Sequence, residues 1–270
     1  MRGRIGKVTV LAELGAGAGS RVFRVRREAN SREYALKIIP IRSQHDLKYL
    51  EQAKHEFRIS RLLDHPNLVK IHTFEIERGW FSGPKTGKLL IEYVPGKTLN
   101  EPPLPRMSEL LRVFERVADG LGHMHEQGIF HADLKPKNLI YACETGVKVI
   151  DYGLAWVKGE PKNRLQGTPQ YMAPETGAHK LINTRTDIYN FGATMYRLVT
   201  FRSLPRVIPG VALDEKTHDK RIQSVESLNA TVPSELCDLI HWCIRYNPDS
   251  RPEHMSEVHA ILSRLANEGK

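Results

Sequence analysis

The sequence predicts an α+β fold with a small antiparallel β lobe that carries one helix and a larger lobe that is mostly helical. Residues 1–91 contain short β-branched or aromatic runs separated by turn residues, whereas apolar residues after Gly96 recur at helical spacing. The composition changes across residues 92–96, and a junction between two lobes is a common place for a ligand cleft. We therefore expect a first lobe at 1–91, a hinge at 92–96 and a second lobe at 97–270.

The first lobe is expected to contain five strands and one helix. Strands are predicted at 8–14, 22–26, 33–39, 69–77 and 88–91, with a turn-rich connection at 79–87. A helix is predicted at 46–63, because Leu50 and Phe57 belong to an apolar stripe and Pro66 lies where the pattern stops.

The second lobe is expected to contain four long helices and one hairpin. Helices are predicted at 107–125, 187–200, 234–245 and 257–266, and the hairpin strands at 139–142 and 147–150. The first helix ends just before Gly128, a residue type that commonly follows a helix C-terminus. The polar segment 201–232 suggests no specific function.

Composition narrows the class of protein. The net charge is +9, but basic and acidic residues are interleaved along the chain, which predicts a general attraction to anionic partners and no dedicated nucleic-acid site. No apolar run approaches the roughly 20 residues that span a bilayer. Cys143, Cys237 and Cys243 lack metal-ligand spacing, so we expect buried, reduced thiols in a cytoplasmic protein. The oligomeric state is left open.

Two acids and an amide lie close together in the sequence. Residues 131–138 read His-Ala-Asp-Leu-Lys-Pro-Lys-Asn, and residues 151–153 read Asp-Tyr-Gly. An amide and a carboxylate can hold Mg²⁺ beside a nucleotide phosphate while another carboxylate orients an attacking hydroxyl. The two stretches resemble the catalytic loop and the metal-binding motif of the eukaryotic-like protein kinases, with HAD in place of HRD and DYG in place of DFG. The lysine two residues after the first acid resembles that of the serine/threonine branch.

The resemblance implies a two-lobed protein-kinase fold and a role for each polar residue of these stretches. Asp133 would act as the base and orient the substrate hydroxyl, and Lys135 would neutralise charge on the γ-phosphoryl group. Asn138 and Asp151 would bind Mg²⁺. The cofactors implied are ATP and Mg²⁺.

A Gly-rich turn separates the first two predicted strands. Glycines let backbone N–H groups approach phosphate oxygens and tolerate positive φ. The turn resembles the kinase loop GxGxxGxV, except that Ser20 stands where the third glycine is usual, so we expect Gly19 to adopt the strained conformation instead. The resemblance implies nucleotide binding by Leu14, Gly15, Gly17, Gly19 and Val22.

Lys37 lies on the third predicted strand, where alternation places it on the same face as Ala35. It resembles the kinase lysine that binds the α and β phosphates and pairs with a helix glutamate. The matching glutamate is Glu56, and Glu51 is a competing candidate on another part of the helix surface.

The resemblance also implies an adenine pocket. Ile91 would precede the hinge as the gatekeeper residue, and the backbone of Glu92 and Val94 would hydrogen-bond adenine. The ring would be enclosed by Val22, Ala35 and Leu139.

Two hydroxyls stand where the family usually has apolar side chains. Ser60 follows Glu56 by four residues, at a position that is normally aliphatic, and Tyr152 replaces the more common Phe. A buried hydroxyl needs a hydrogen-bond partner. We predict that these two hydroxyls bond each other, directly or through water.

Ala132 replaces the arginine that binds a phosphorylated activation loop in many family members, and alanine has no donor for such a contact. The sequence from Asp151 to Gly167 also contains no Ser or Thr. Both features predict activity without activation-loop phosphorylation.

Residues 167–175 read Gly-Thr-Pro-Gln-Tyr-Met-Ala-Pro-Glu and resemble the substrate platform of serine/threonine kinases. The resemblance implies that Thr168 bonds the catalytic acid and lysine. It also implies that Glu175 pairs with Arg251 and that Asp187 accepts hydrogen bonds from backbone N–H groups of the catalytic loop.

The sequence therefore predicts a protein serine/threonine kinase that acts on Ser or Thr hydroxyls of protein substrates. Two alternatives stay open: a pseudokinase that acts as a nucleotide-dependent scaffold, and a small-molecule phosphotransferase on a related fold. Retention of Lys37, Asp133, Asn138 and Asp151 argues against the first alternative. The substrate platform at 167–175 argues against the second.

Overall fold

A computed structural model describes residues 5–17, 19–79, 83–160, 167–179, 181–207 and 214–268. Its internal contacts divide the chain into two compact units. The first unit comprises Met1–Pro95 and Asp151–Gly153, and the second comprises Gly96–Ile150 and Leu154–Lys270. The division falls inside the segment predicted as a hinge, and it groups Asp151–Gly153 with the first unit.

The first unit is an antiparallel sheet with one helix, as predicted. Its strands are β1 (Val8–Gly17), β2 (Ser20–Arg27), β3 (Glu33–Pro40), β4 (Ile71–Arg78) and β5 (Pro84–Glu92), and α1 (Leu47–Ser60) follows β3. The strands lie in the order β1-β2-β3-β5-β4. Val25, Leu36 and Leu90 form a buried cluster with Ile5 on this sheet. The register places Ala35 opposite Ile91 and Lys37 opposite Leu89, so β3 and β5 align the predicted nucleotide-binding residues.

The connection between β4 and β5 is shorter than the sequence pattern predicts. The pattern predicts a turn that includes 84–87, whereas these residues pair with β4, and the ladder ends with Pro84 opposite Arg78. A proline at the first position of a strand costs no interior ladder bond. A Cβ on Gly87 would lie 2.6 Å from Leu50 Cδ1, so this glycine allows α1 to pack closely on the strand.

The second unit is mostly helical, which confirms the predicted fold class. Its helices are α2 (Met107–Glu126), α3 (Pro174–His179), α4 (Thr184–Thr200), α5 (Glu215–Arg221), α6 (Val225–Leu228), α7 (Ser234–Cys243) and α8 (Met255–Glu268). Its strands are β6 (Lys97–Thr98), β7 (Ile129–Phe130), β8 (Leu139–Ala142), β9 (Gly146–Val149) and β10 (Trp156–Val157). Strands β6, β8 and β9 form one sheet, and β7 pairs with β10.

Helix α4 lies in the core of the second unit. In this fully described helix, every residue from Thr186 to Thr200 is buried except Arg197. A Cβ on Gly192 would lie 2.6 Å from the Cβ of Cys243, so α4 and α7 pack with their backbones close together. Such close packing around α4 gives the catalytic loop and the platform a rigid base.

The cysteines are unpaired, and two of them are buried as predicted. Burial raises the pKa of Cys237 to about 12, with a smaller contribution from the charge of Glu226. The prediction of burial is wrong for Cys143, which is exposed because it lies in the turn between β8 and β9.

Among the described residues, none of the helices combines the length and the apolar character needed to cross a bilayer.

Candidate active-site residues

The first unit contains the ion pair expected between strand and helix. Lys37 lies on β3, and its Nζ donates to Glu56 Oε2 on α1 at 2.7 Å. Glu51, the competing candidate, instead binds the exposed Lys54 at 2.6 Å. The two glutamates are five residues apart on α1, which places them on different parts of the helix surface.

Three charged groups of the first unit act on one another. Burial lowers the pKa of Lys37, but the charges of Glu56 and Asp151 outweigh this effect and raise the pKa above its usual value. Burial also raises the pKa of Glu56, and the charge of Asp151 adds to this shift while Lys37 opposes it. Two carboxylates therefore act on a single ammonium group. Such a surplus of negative charge favours the binding of a cation.

The Asp-Tyr-Gly motif is fixed by its backbone and by one hydroxyl. Asp151 adopts φ +70°, and its Oδ1 accepts a hydrogen bond from Gly153 N–H at 3.1 Å. A left-handed conformation is uncommon for a residue other than glycine, although aspartate tolerates it better than most. Tyr152 is fully buried, and its hydroxyl donates to the carbonyl oxygen of Val69 at 2.9 Å. Burial raises the pKa of Tyr152 well above its usual value, so the phenol stays protonated and can donate.

Ser60 and Tyr152 each bond a backbone group in this structure and do not bond each other directly. Ser60 Oγ accepts the backbone N–H of Ile71 at 2.8 Å, and the single proton of Tyr152 goes to Val69. Both hydroxyls therefore anchor to the backbone of residues 69–71. The sequence correctly predicted that each hydroxyl needs a partner, but backbone partners leave no mark in a side-chain pattern.

The Gly-rich turn joins β1 to β2, with Gly17 opposite Ser20. Gly19 adopts φ +76°, as predicted, and a Cβ there would lie 2.4 Å from the ring of Tyr49 on α1. Position 19 thus requires glycine both for its backbone conformation and for the close approach of an aromatic ring. Ala18, at the tip of the predicted loop, lies outside the described residues.

The predicted hinge residues follow the end of β5. Glu92 donates its backbone N–H to the carbonyl oxygen of Lys70 at 2.8 Å, and its carboxylate accepts the N–H of Lys70 at 3.1 Å. Val94 is buried, and Ile91 is half-buried. The sequence did not predict the double contact with Lys70, which ties the start of the hinge to the chain that precedes β4.

The second unit brings the catalytic loop and the platform together. Asp133 Oδ1 accepts hydrogen bonds from both the backbone N–H and the hydroxyl of Thr168, at 2.9 and 2.8 Å. Lys135 Nζ donates to Asp133 Oδ2 and to Thr168 Oγ1, the latter at 2.7 Å. The three side chains therefore form a closed set of hydrogen bonds, as the family resemblance implies. A carboxylate oriented in this way can accept the proton of a substrate hydroxyl.

Asn138 is also positioned by the loop. Its side-chain Nδ2 donates to the backbone carbonyl oxygen of Asp133 at 2.9 Å, and its backbone carbonyl oxygen accepts the N–H of Ile150 at 2.9 Å. The side chain is buried, and the next residue, Leu139, begins β8 and is fully buried. The amide is therefore held in one orientation, which suits an oxygen ligand for Mg²⁺.

The carboxylate of Asp187 binds the backbone of the catalytic loop. It accepts the N–H groups of His131 and Ala132 at 2.7 and 2.8 Å, and it also contacts His125 Nε2 at 2.9 Å. Burial raises the pKa of Asp187, but these hydrogen bonds and the nearby histidine charges outweigh burial and lower it. Ala132 adopts φ +65°, a conformation that these bonds hold in place. The contact with His125 was not predicted, although a histidine in the last turn of α2 was visible in the sequence.

Glu175 and Arg251 form the bidentate pair that was expected, with N–O distances of 2.8 and 2.9 Å. The remaining guanidinium donors of Arg251 bind the backbone carbonyl oxygens of Arg185, Arg245 and Tyr246. All five donors of the guanidinium are therefore used. The guanidinium also lies over the ring of Tyr189, 4.7 Å from its centroid.

The candidate residues are thus grouped within each unit. Lys37, Glu56 and Asp151 come together in the first unit. Asp133, Lys135, Asn138 and Thr168 come together in the second unit. The described residues contain no group of three or more His, Cys, Asp or Glu side chains arranged to hold a metal ion. This is compatible with Mg²⁺, which keeps several waters and needs only one or two carboxylates.

Comparison with known proteins places these residues in a family. Residues 8–262 match the family model of the protein kinase domain. The CBL-interacting protein kinase 8 of Oryza sativa is 30% identical over 257 residues, which cover 92% of this chain and 55% of that protein. The serine/threonine-protein kinase PrkC of Bacillus subtilis is 26% identical over 95% of this chain and 40% of its own length. For the serine/threonine-protein kinase PknB of Mycolicibacterium smegmatis, the identity is 29% and the shares are 93% and 42%. The chain spans about half the length of these relatives or less.

Proposed function

This chain belongs to the protein kinase family, and from that premise we propose that it transfers the γ-phosphoryl group of ATP to Ser or Thr hydroxyls of protein substrates. The observation that carries the proposal is the closed set of hydrogen bonds among Asp133, Lys135 and Thr168. A carboxylate held by a lysine and a platform hydroxyl can orient an incoming alcohol and accept its proton. Lys135 would offset the negative charge that develops on the transferred group.

ATP is proposed to bind through residues of both lobes. Lys37, held by Glu56, would contact the phosphates, and the Gly-rich turn would offer them backbone N–H groups. The proposed lobe limits remain 1–91 and 97–270, with the hinge at 92–96. Residues proposed for the adenine and phosphate contacts are Leu14, Gly15, Gly17, Gly19, Val22, Ala35, Ile91, Glu92, Val94 and Leu139.

Mg²⁺ is proposed to bind through Asn138 and Asp151. The residues fit this ion, because they supply an amide oxygen and a carboxylate, and because Asp151 belongs to a group with surplus negative charge. When bound, the ion neutralises charge on the β and γ phosphates. The side chain of Asn138 is already held by the backbone of Asp133, so its orientation does not depend on the ion.

The activity is proposed to be independent of activation-loop phosphorylation. Ala132 offers no side-chain donor to a phosphate, and its backbone N–H is used by Asp187. Treating the purified protein with a phosphatase is therefore expected to leave its turnover within about two-fold of the untreated sample, because no charge-assisted contact is lost. A strong loss of turnover after this treatment would contradict the proposal.

We also propose a cytoplasmic location, which the unpaired cysteines support.

The test is transfer of labelled γ-phosphate from ATP with Mg²⁺ to casein, an acidic protein, and to histone, a basic one. Asp133→Asn is expected to lower turnover by about 10²–10⁴-fold, because removal of a general base has this effect. The control is Asp238→Asn, which changes an exposed carboxylate on α7 and is expected to keep wild-type turnover. Transfer at the same rate in the wild type and Asp133→Asn would indicate a scaffold with background activity. Label that appears only in small molecules would indicate a small-molecule phosphotransferase.

A further inference from the structure

Thr168 marks the place where the proposed acceptor hydroxyl would lie, and the chain next to it is fixed by a neighbouring segment. Val207 N–H donates to the carbonyl oxygen of Pro169 at 3.0 Å, so the residues that follow α4 run alongside the platform. A Cβ on Gly177 would lie 2.3 Å from Val207 Cγ1, so α3 packs against this segment as well. Asn190 of α4 donates to the carbonyl oxygen of Tyr171. Helix α4 and Val207 are therefore immediate neighbours of the platform.

The charges of this region are unbalanced at its surface. Residues 167–207 contain two acids, Glu175 and Asp187, and both are buried and bound by partners within the protein. Among the described residues of this stretch, every charged side chain that is exposed or half-exposed is therefore basic. Besides Arg185, which binds Asp249, the described part of this stretch has three arginines after α3: the half-buried Arg197 and the exposed Arg202 and Arg206.

Arg197 acts electrostatically on Tyr171 of the platform. It is the single residue of α4 between Thr186 and Thr200 that is not buried. Burial raises the pKa of Tyr171, and the positive charge of Arg197 opposes this shift, so the guanidinium lies near the phenol of the platform. Arg202 acts in the same way on the pKa of Tyr196, where burial is again the larger cause.

The turn that carries these arginines is held in one conformation. The guanidinium of Arg197 donates to the carbonyl oxygen of Phe201, and Arg202 N–H donates to Thr200 Oγ1 at 3.1 Å. Phe201 adopts φ +59°, which is unusual for a bulky residue, and 64% of its surface is exposed. Arg202 therefore belongs to a turn of defined conformation, and Arg206 directly precedes Val207, which is bonded to the platform.

From this arrangement we propose that the preferred substrates carry anionic side chains close to the acceptor Ser or Thr. The proposal rests on the proposed kinase function and names its substrate class. Arg197, Arg202 and Arg206 are the residues that would select such peptides, because no exposed acid in the described part of residues 167–207 compensates their charge. The anionic group is a carboxylate or a phosphate already attached to the substrate, since both present oxygens to a guanidinium.

The test compares peptides in which five residues flank a serine on each side and which differ only in charge. Their phosphorylation is measured at low ionic strength and saturating ATP. Glutamate, glutamine or lysine occupies the positions two residues before and one and two residues after the serine. We expect kcat/KM to fall in the order glutamate, glutamine, lysine, with about two- to five-fold for each exposed charge contact. Added salt should compress the differences, because exposed charges are screened. An equal or reversed order would overturn the proposal.

Charge reversal shows whether the named arginines are responsible. The double variant Arg202→Glu with Arg206→Glu is expected to bring the glutamate-to-glutamine ratio of kcat/KM to one or below, and the ratio cancels any general loss of activity. The control is Arg112→Glu with Arg116→Glu, which makes the same change of charge on α2, where these arginines line a separate cavity with Tyr141 and Gly146. This control is expected to keep the wild-type ratio. A loss of preference in both double variants would trace it to net charge and overturn the local assignment.

Further measurements distinguish a carboxylate from a phosphate as the recognised group, and they distinguish a wrong substrate class from a wrong kinase function. Phosphoserine replaces glutamate in one peptide, and whichever of the two gives the higher kcat/KM identifies the source. Binding of labelled peptides without nucleotide, measured by fluorescence anisotropy, tests the charge preference apart from turnover. Equal phosphorylation of all peptides would overturn only this inference. If neither these peptides nor casein nor histone accepts phosphate, the kinase function fails, and the substrate class fails with it.

Discussion

Two of the buried ion pairs among the described residues, one in each unit, are built differently. Lys37 and Glu56 in the first unit are 2.7 Å apart, and 21% of the Lys37 side chain remains exposed. Arg251 and Glu175 in the second unit form a bidentate pair, and the Arg251 side chain is fully buried. Lysine offers a compact ammonium that can change partners, whereas arginine offers a planar set of five donors that fixes geometry.

The difference lies in what each pair leaves unbalanced. Arg251 uses all of its donors on Glu175 and three carbonyl oxygens, so this pair has no capacity for a ligand. Lys37 is shared between the charges of Glu56 and Asp151, so these three groups together carry surplus negative charge. A buried ion pair is therefore a candidate for chemistry when its charges are incompletely matched, and it is structural when every donor is used.

The largest effect is expected from Arg251→Met. The substitution leaves the carboxylate of Glu175 buried and without its main partner, so the free energy of unfolding is expected to fall by about 3–5 kcal/mol. Urea denaturation followed by circular dichroism measures the change. Arg264→Met, which breaks an exposed pair with Glu235, is the control and is expected to cost at most about 1 kcal/mol. If Arg251→Met lost no more than this control, the pair would not have the structural role described.

Lys37→Met is expected to act on catalysis more than on stability. Loss of one group that stabilises charge in a transition state typically lowers turnover by about 10²–10³-fold. The melting temperature should fall less than in Arg251→Met, because Lys37 makes one hydrogen bond to Glu56, whereas Arg251 also binds three backbone carbonyl oxygens besides Glu175. Turnover and thermal unfolding of the same samples check both statements, with Lys54→Met as the control that removes an exposed lysine from α1. Near-normal turnover in Lys37→Met would remove this pair from the active site.

The smallest effect is a pH dependence of Glu56→Gln. The folded protein raises the pKa of Glu56 above the unfolded value of 4.5, chiefly through burial. The carboxyl group therefore contributes stability that is fully present below pH 4.5 and is lost as the pH rises through the folded pKa. Relative to the wild type, Glu56→Gln should become more stable as the pH rises through this range. Urea denaturation at several pH values tests the sign, and the opposite trend would mean that Lys37 outweighs burial.

Much of the site could be predicted because its residues are spaced by fixed local structure. The separation of Lys37 from Ala35 follows from strand alternation, and the choice of Glu56 over Glu51 follows from helix geometry. The contacts of Thr168 with the catalytic acid and lysine were implied by the family motif alone. Strand and helix positions were close to those observed, because apolar periodicity marks the buried face of each element.

The failures involve interactions that composition does not encode. The hydroxyls of Ser60 and Tyr152 bind backbone groups of residues 69–71, and every residue offers such groups. The start of β5 looked like a turn because it contains Pro84 and Gly87, yet Gly87 is needed for contact with α1. Arg202 and Arg206 lie in the segment 201–232, and Arg197 precedes it. The sequence showed that this segment is polar but not that Val207 bonds the platform.

The anchoring of Ser60 and Tyr152 to one short backbone segment has a consequence for inhibitors. The end of α1 and the Asp-Tyr-Gly motif are both fastened to residues 69–71. A compound that displaces the tyrosine ring must break its hydrogen bond to Val69 and leave a buried carbonyl oxygen without that donor. Compounds that leave the ring in place avoid this loss, so a chemical screen against this protein should favour them.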